Sequence, residues 1–445
     1  MMGAQRFLGT LCVKEYYRSK RHSIFEIEHH GHGKILETER RPTLYQRFIL
    51  FMYTAFLPVG YPESVTKDYW NYQVWDSFQA FCSSVTGALG MHAVLRGVGV
   101  GDENASVLAA SLTWLLRDGS GMVAQIFVAW FAGRHLDTDC KAWRLTADVF
   151  NDLATWLELL SPNYEPFFLA IVCMSSILRA IVGLAGTASR TAITQHQALC
   201  NNLADVSAKD SAQETLVNFV ALLWNLVMLP LVSKRRNVVI ALCAVFTILH
   251  LQCNYKAIRA LRFCTLNEKR FSLIVRSYLD TGNVPGIVQV NLQESLWPSL
   301  FTRPFRGRMS LGASMSAVLD KKANWFYSTD SFILRCSSHR GCKPHVDVLL
   351  AIDCSIYDIL EAAFHAEAFM NGQGKNRLIS RDGEMDHIYH FNDNVDFHHF
   401  YTKLQNSRWV LRDHSFIVDD YRYSAVPLST FLDEQNEECS NGNSF

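Results

Sequence analysis

The sequence predicts a mainly α protein: a helical, membrane-embedded core followed by a small α+β domain. Three observations carry that expectation. Of 445 residues, 49% are hydrophobic and 19% charged, and the apolar excess is concentrated between positions 78 and 253. Within that region lie several apolar runs of near-membrane length. Past position 255 charges return and the apolar runs shorten to strand and helix lengths. The expected organisation is a flexible amino-terminal segment (1–43), an apolar helical domain (44–254), an α+β domain (255–432) and a disordered acidic tail (433–445).

Residues 14–42 are mixed in charge, and His29, His30 and His32 lack the spacing that completes a metal site. Residues 44–57, LYQRFILFMYTAFL, are too short to span. They suit a helix that lies at an interface or packs on the core, stopped by Pro58. The aromatic cluster at 67–75 suits a membrane–water boundary or a core. The run at 78–95 holds no Asp, Glu, Lys or Arg. Its small residues Ala80, Ser84 and Ala88 recur at the spacing that lets helix backbones approach in lipid. GVGVG at 97–101 follows a helix-like run and not a strand, which speaks against a dinucleotide loop.

At 105–132 an apolar stretch is interrupted by Arg117-Asp118-Gly119-Ser120-Gly121. Two readings stay open: a helix broken at membrane depth beside a substrate site, or two short helices joined by a glycine turn. Residues 134–166 are amphipathic. Trp143, Ala147, Phe150, Ala154 and Leu157 form the packing stripe, Arg144, Asp148, Asn151 and Asp152 lie off it, and Ser161-Pro162 ends the helix. The run at 167–186 is the best spanning candidate, and its single charge, Arg179, needs a partner or a boundary. A polar stretch at 186–214 follows. Ser211 and Glu214 match a capping box, so the next helix is expected to start there. Residues 215–232 and 238–253 read as a helical hairpin with a basic tip at 233–237. Lys256, Arg259 and Arg262 put a second basic cluster at the opposite end, so charge asymmetry gives no orientation. In the carboxy-terminal part, helices are expected at 267–279, 356–370 (capped by Ser355 and Asp358) and 395–405. Strands are expected at 287–290, 331–336, 346–352 and 408–411.

Zero formal net charge argues against a nucleic-acid partner. Twelve cysteines without a CxxC pair read as reduced thiols and not as a disulfide framework. Cys336, His339, Cys342 and His345 fit no standard metal spacing, so no metal site is expected. No secretory signal and no catalytic constellation are evident, so no enzyme is expected. The candidate ligand-binding residues are the ionisable groups in the polar interruptions: Arg117, Asp118, Asp205, Lys209, Asp210 and Glu214. Arg117 or Arg179 is expected to pair with an acid of 205–214.

Several strings together resemble one family. LPVGYPESV at 57–65, Asp68-Tyr69, Tyr72 with Trp75, LRDGSG at 116–121 and NLADVSAKDSAQE at 202–214 are similar to the root UV-B sensitive (RUS) family. DCSIYDILEAAFHA at 353–366 extends the resemblance more loosely. The resemblance implies a membrane-associated protein of undefined biochemistry with a role in vitamin B6 homeostasis and in light-stress or auxin-related physiology. It implies plastid action with partner members for plant relatives, and a membrane setting for animal ones. It carries over no catalytic residue.

Three functions follow. The preferred one is a protein surrounded by membrane lipid, in an intracellular membrane of a plastid, mitochondrion or other organelle, that binds or moves a small solute. The second is a non-enzymatic scaffold assembling with itself or other family members through small-residue helix faces. The third is a pyridoxal-phosphate-dependent enzyme with Lys209 as its Schiff-base lysine.

Overall fold

The computed structural model describes residues 11–17, 20–27, 33–38, 43–100, 106–300, 308–316, 325–337, 344–381, 384–391 and 395–424. A short helix, α1 (Leu44–Phe56), precedes six long ones: α2 (Tyr69–Gly97), α3 (Val107–Thr138), α4 (Cys140–Leu160), α5 (Phe168–Gln197), α6 (Leu203–Val232) and α7 (Arg236–Ala260). Short connections make successive helices antiparallel. At one end, α2, α4 and α6 begin while α3, α5 and α7 finish. There Val65 bridges Ala198, and Lys141 Nζ donates to the Leu261 carbonyl at 3.1 Å. At the other, hairpin end lie the 3-10 turns Ser161–Asn163 and Glu165–Phe167 and the α6–α7 tip. Among the described residues four helices are long and apolar enough to cross a membrane: Tyr69–Gly97, Glu165–Gln197, Leu203–Val232 and Arg236–Ala260.

Helix α4 is enclosed by α2, α3, α5 and α7. Its apolar stripe packs as expected, with Trp143, Ala147 and Ala154 buried. The charges off that stripe do not meet solvent, however. Asp148, Asp152 and Glu158 are buried, and the helix's exposed positions are Val149 and Leu153. The reason is packing: neighbouring helices cover the polar face as well as the apolar stripe, and only the strip that holds Val149 and Leu153 is left open.

Three further expectations are corrected. First, 105–132 is not broken; α3 runs straight through 117–121. Gly121 is where α5 comes closest: a Cβ there would sit 2.7 Å from the Ser176 hydroxyl, so the glycine serves the approach of two helices and not a break. Second, 186–214 is not a connector with a helix start at Ser211. α5 continues to Gln197, Asn201 turns the chain in the left-handed region at φ 53°, and α6 begins at Leu203. Ser211 is inside α6, so its polarity comes from facing another helix. Third, 287–290 is the start of a helix, not a strand. Such a short apolar run has no decisive period, and the buried Asn291 stitches the turn by donating to the Ile287 and Phe263 carbonyls.

At the amino terminus, where a flexible segment was expected, β1 (Leu11–Tyr17), β2 (Lys20–Ile27) and β3 (Gly33–Thr38) form an antiparallel meander. His29, His30 and His32, His339 and Cys342, and the acidic tail lie outside the described residues.

The carboxy-terminal part holds β4 (Thr265–Asn267), α8 (Glu268–Thr281), α9 (Ile287–Gln293), β5 (Arg308–Leu311), β6 (Trp325–Ser328), β7 (Phe332–Ser337), β8 (His345–Leu350), α10 (Ile356–Met370), β9 (Gly374–Arg381), β10 (Glu384–Phe391), α11 (Phe397–Gln405) and β11 (Val410–Ser415). A mixed six-stranded sheet has the order β5-β8-β7-β6-β10-β9, and β11 pairs with β4. Its core joins Phe271 and Tyr278 of α8 to Phe364 of α10 and Phe400 of α11. The Ser355–Asp358 capping box starts α10 as the sequence predicts, and Gly282, at φ 72°, ends α8.

A buried charge cluster joins the two parts. Lys141 lies 3.2 Å from Glu294, Arg270 3.5 Å from the same carboxylate, and Lys269 3.1 Å from Asp139. Asn267 donates to the Thr138 carbonyl at 2.8 Å. Alongside, burial would raise the Asp68 carboxyl, but its bond with His196 and the Arg262 N–H hold it down to about 2. Burial would likewise raise Glu294, and Arg270 and Lys141 beside it keep it below its ordinary value. A lowered carboxyl contributes stability that is present in full above 4.5, the ordinary value, and is lost as pH falls from there through the folded value. Glu294→Gln is therefore expected to lower stability by about 3–5 kcal/mol near neutrality. Thermal unfolding in detergent should show the gap between parent and variant closing as pH falls through 4.5 and below. A gap that persists in acid would contradict the assignment.

Candidate functional site

A cavity of about 300 Å³ opens between α2, α4, α5 and α6 and reaches from the joint end to the midpoint of α2. Most of the groups that line it are polar. Arg190 of α5 clamps α6, donating to Asp210 at 2.6 Å, to Glu214 at 2.5 Å and to the Ser211 hydroxyl at 3.4 Å. Gln73 donates to the second Asp210 oxygen at 3.0 Å. Across the cavity Arg144 donates to Asp76 at 2.7 Å, and the Tyr72 hydroxyl donates to the same oxygen at 3.3 Å. Ser84 donates to Asn218 at 2.6 Å, so the small-residue face of α2 receives α6 of the same chain. The cavity thus offers two guanidiniums, three carboxylates and several neutral donors and acceptors.

Polar groups continue behind it along α4. Gln79 lines the cavity and donates to Asp148 at 2.9 Å, and its amide nitrogen lies 2.8 Å from His250 Nε2. His250 Nδ1 lies 2.9 Å from Asp152. An imidazole between two carboxylates can take or release a proton at either nitrogen. Farther on, Asn151 donates to Ser83 at 3.2 Å and accepts from Arg179 at 3.1 Å. Arg179 reaches Glu158 at 2.5 Å, and Arg117 lies 3.6 Å from Glu158. Arg144, Asp148, Asp152, Thr155 and Glu158 are spaced three or four apart, so they share one face of α4. At 1.5 Å per residue that face carries polar groups for about 21 Å.

The six predicted site residues fall in separate places. Asp210 and Glu214 line the cavity. Asp205 accepts from the Val59 N–H at 2.7 Å, and Lys209 donates to the Thr54 carbonyl at 2.7 Å, so both hold α1 and its following turn. Lys209 is outside the cavity lining and committed to α1, which does not fit a Schiff-base lysine there. Arg117 ends the α4 line, and Asp118 is exposed on the outer surface of α3. Arg117 and Arg179 pair with Glu158, not with an acid of 205–214 as expected, because α5 packs on both α3 and α4 and brings the two arginines to the Glu158 end of α4. Among the described residues no group of three or more His, Cys, Asp or Glu is placed to hold a metal.

Sequence reasoning missed Asp76, Gln79, Arg144, Asp148, Asp152, Glu158, Arg190 and His250. The three-to-four spacing of charges along 144–158 was the available signal.

The conspicuous strings also meet in space. Asn202 donates to the Ser64 carbonyl at 3.2 Å, Thr66 N–H to the Gln197 carbonyl at 3.1 Å, and Gln213 to the Phe56 carbonyl at 2.6 Å and the Tyr69 hydroxyl at 3.2 Å. These bonds tie 57–69 to 197–213 beside the cavity mouth.

Comparison with known proteins gives two family matches: the vitamin B6 photo-protection and homoeostasis domain over residues 43–282, and the root UVB sensitive protein carboxy-terminal domain over residues 283–425. Helix α8 lies inside the first match although it packs in the carboxy-terminal core. RUS family member 1 of Dictyostelium discoideum is 40% identical over 260 residues, 58% of this chain and 49% of that one. Protein root UVB sensitive 3 of Arabidopsis thaliana is 30% identical over 391 residues, 84% of this chain and 88% of that one. Protein root UVB sensitive 2, chloroplastic, of Arabidopsis thaliana is 27% identical over 392 residues, 86% of this chain and 88% of that one. The matched stretch spans about half the length of the Dictyostelium relative. No solved structure matches the chain.

Glu158→Gln leaves two guanidiniums facing a neutral amide and is expected to destabilise by about 3–5 kcal/mol. Asp118→Asn, which leaves no buried cation unpartnered, should destabilise by no more than about 0.5 kcal/mol. Melting of the two purified variants in detergent checks the pair, and similar shifts for both would refute the buried-line description.

Proposed function

The chain belongs to the root UVB sensitive family, and we propose that it is a membrane-embedded protein that binds or moves a small polar solute through the cavity bounded by α2, α4, α5 and α6, in the service of vitamin B6 homeostasis. The observation that carries this reading is the inverted amphipathicity of α4. Val149 and Leu153 face outward while Asp148, Asp152 and Glu158 are buried. In water that arrangement is unfavourable on both faces; in lipid it is favourable on both.

The outer surface supports it. On α3, Leu115, Ile126 and Trp130 are 68%, 73% and 78% exposed, and Leu226 and Leu231 of α6 are similarly bare. Contiguous apolar surface on this scale marks a face covered by lipid or another protein. Helix α1 buries none of its residues and carries an exposed apolar face with Phe48 and Phe51, as suits a helix lying at the membrane boundary.

A cavity of about 300 Å³ is at the small end of ligand sites. Arg144 and Arg190 suit acceptor or anionic groups of the solute, and Asp76, Asp210 and Glu214 suit donor or cationic ones. Vitamin B6 compounds are small rings bearing hydroxyl, amine or phosphate groups, so they are the first class to test. The α4 line gives protons a route from the cavity along the bundle, which is the element a proton-coupled carrier needs. The setting is an intracellular membrane, and the relative named chloroplastic makes a plastid one organelle to examine.

Protein in liposomes should bind labelled pyridoxal or its phosphate saturably. Arg190→Gln and Asp76→Asn should each weaken binding about tenfold, equivalent to roughly 1.4 kcal/mol. Asp118→Asn should match the parent. Equal binding by all four proteins would reject this cavity as the site.

A further inference from the structure

At the hairpin end lies a second cavity, of about 490 Å³. The last turn of α2 supplies His92 and Arg96, and the α6–α7 tip supplies Lys234 and Arg236. The one acid in its lining is Glu165. Among the described residues Arg96, Lys234 and Arg236 make no ion pair and no side-chain hydrogen bond. The contrast with the first cavity is direct, since there Arg144 and Arg190 each hold a carboxylate. Like charges converging on one concavity without a counter-charge repel one another, and a bound anion relieves that repulsion.

The walls between the cations are apolar, formed by Leu159, Phe168, Val239 and Ile240. Their placement is fixed. Gly97 lies so close to the Phe168 ring that no Cβ would fit, which holds the end of α2 against the start of α5. The adjoining 3-10 turn contributes Tyr164 and Phe167 to an apolar groove of about 420 Å³ with Ile171 and Met174.

We propose that this cavity binds a phosphate-bearing anion, coordinated by Arg96, Lys234 and Arg236. Guanidinium and ammonium groups donate charge-assisted hydrogen bonds to phosphate oxygens. Two sources share that chemistry. One is the headgroup of an anionic phospholipid, for which a basic recess between helices at the membrane boundary is a known kind of site and whose acyl chain the apolar groove would take. The other is a soluble phosphate ester arriving from the aqueous side. The site is independent of the solute cavity, which lies at the opposite end of the same helices.

The test compares the detergent-purified parent with a triple variant, Arg96→Gln/Lys234→Gln/Arg236→Gln. All three side chains are exposed, so the variant is expected to fold, and an unchanged melting curve checks this. Native mass spectrometry with added phosphatidylglycerol or phosphatidylcholine reads the lipid arm. Titration with inorganic phosphate, followed calorimetrically, reads the soluble arm. Selective retention of phosphatidylglycerol by the parent, reduced about tenfold in the triple variant, equivalent to roughly 1.4 kcal/mol, supports the headgroup source. Phosphate binding without lipid, lost in the triple variant, supports the soluble source. Asp118→Asn, outside both cavities, should leave both readings unchanged. Absence of both kinds of binding in the parent, or binding that the triple variant retains in full, overturns the proposal. Neither result bears on pyridoxal binding at the first cavity, which the triple variant is expected to keep.

Discussion

The fold depends on how α4 buries its charges. Arg144, Asp148, Asp152 and Glu158 share one face of a helix that is covered everywhere but along Val149 and Leu153, and none can be left without a partner at acceptable cost. The neighbours answer all four: α2 supplies Asp76 to Arg144 and Gln79 to Asp148, α7 supplies His250 between Asp148 and Asp152, and α5 supplies Arg179 to Glu158. Helix α3 reaches in with Arg117 to the same glutamate. These pairings fix the rotation of each helix about its own axis. Their outer faces are then free to be apolar, and they are.

The same constraint places the cavity. Helices α5 and α6 contribute little to α4's charges at the joint end and instead hold each other through Arg190, Asp210 and Glu214. The gap between that clamp and the Arg144–Asp76 pair is the cavity. The strings that carry the family resemblance pin the chain ends around its mouth. The buried cluster of Lys141, Glu294, Arg270, Lys269 and Asp139 sets the α+β part against the same end. The hairpin end has no such covering among the described residues, and its basic recess faces outward.

Much of the architecture was legible. The α6–α7 hairpin could be read from the length of its apolar runs and its basic tip, and α10 from its capping box. The carboxy-terminal strands at 332–337 and 345–350 stood out by their branched and aromatic residues. Harder to read were features whose local signal has two physical causes. The glycines at 119 and 121 look like a break, yet the helix runs through both, and Gly121 is the small residue that lets α3 approach α5. Polarity at 186–214 looks like a loop when it belongs to two helices facing a wet cavity. Charges at 144–158 look like a solvated face, since their spacing reports that they share a face and not what covers it. Asp210 and Glu214 were found because they sit inside the polar stretch. Arg190 lies in the same stretch but was not singled out, and Asp76, Arg144 and His250 come from segments whose own composition gives no hint of the others.

The central claim is that the inverted helix and the bare apolar faces around it are satisfied by lipid. Alkaline carbonate washing of membranes from cells expressing the full chain tests this most directly, because it strips proteins held by charge or by partners and leaves those embedded in the bilayer. The account predicts that the protein stays in the membrane pellet with an integral marker. Release into the supernatant with a peripheral marker would contradict it.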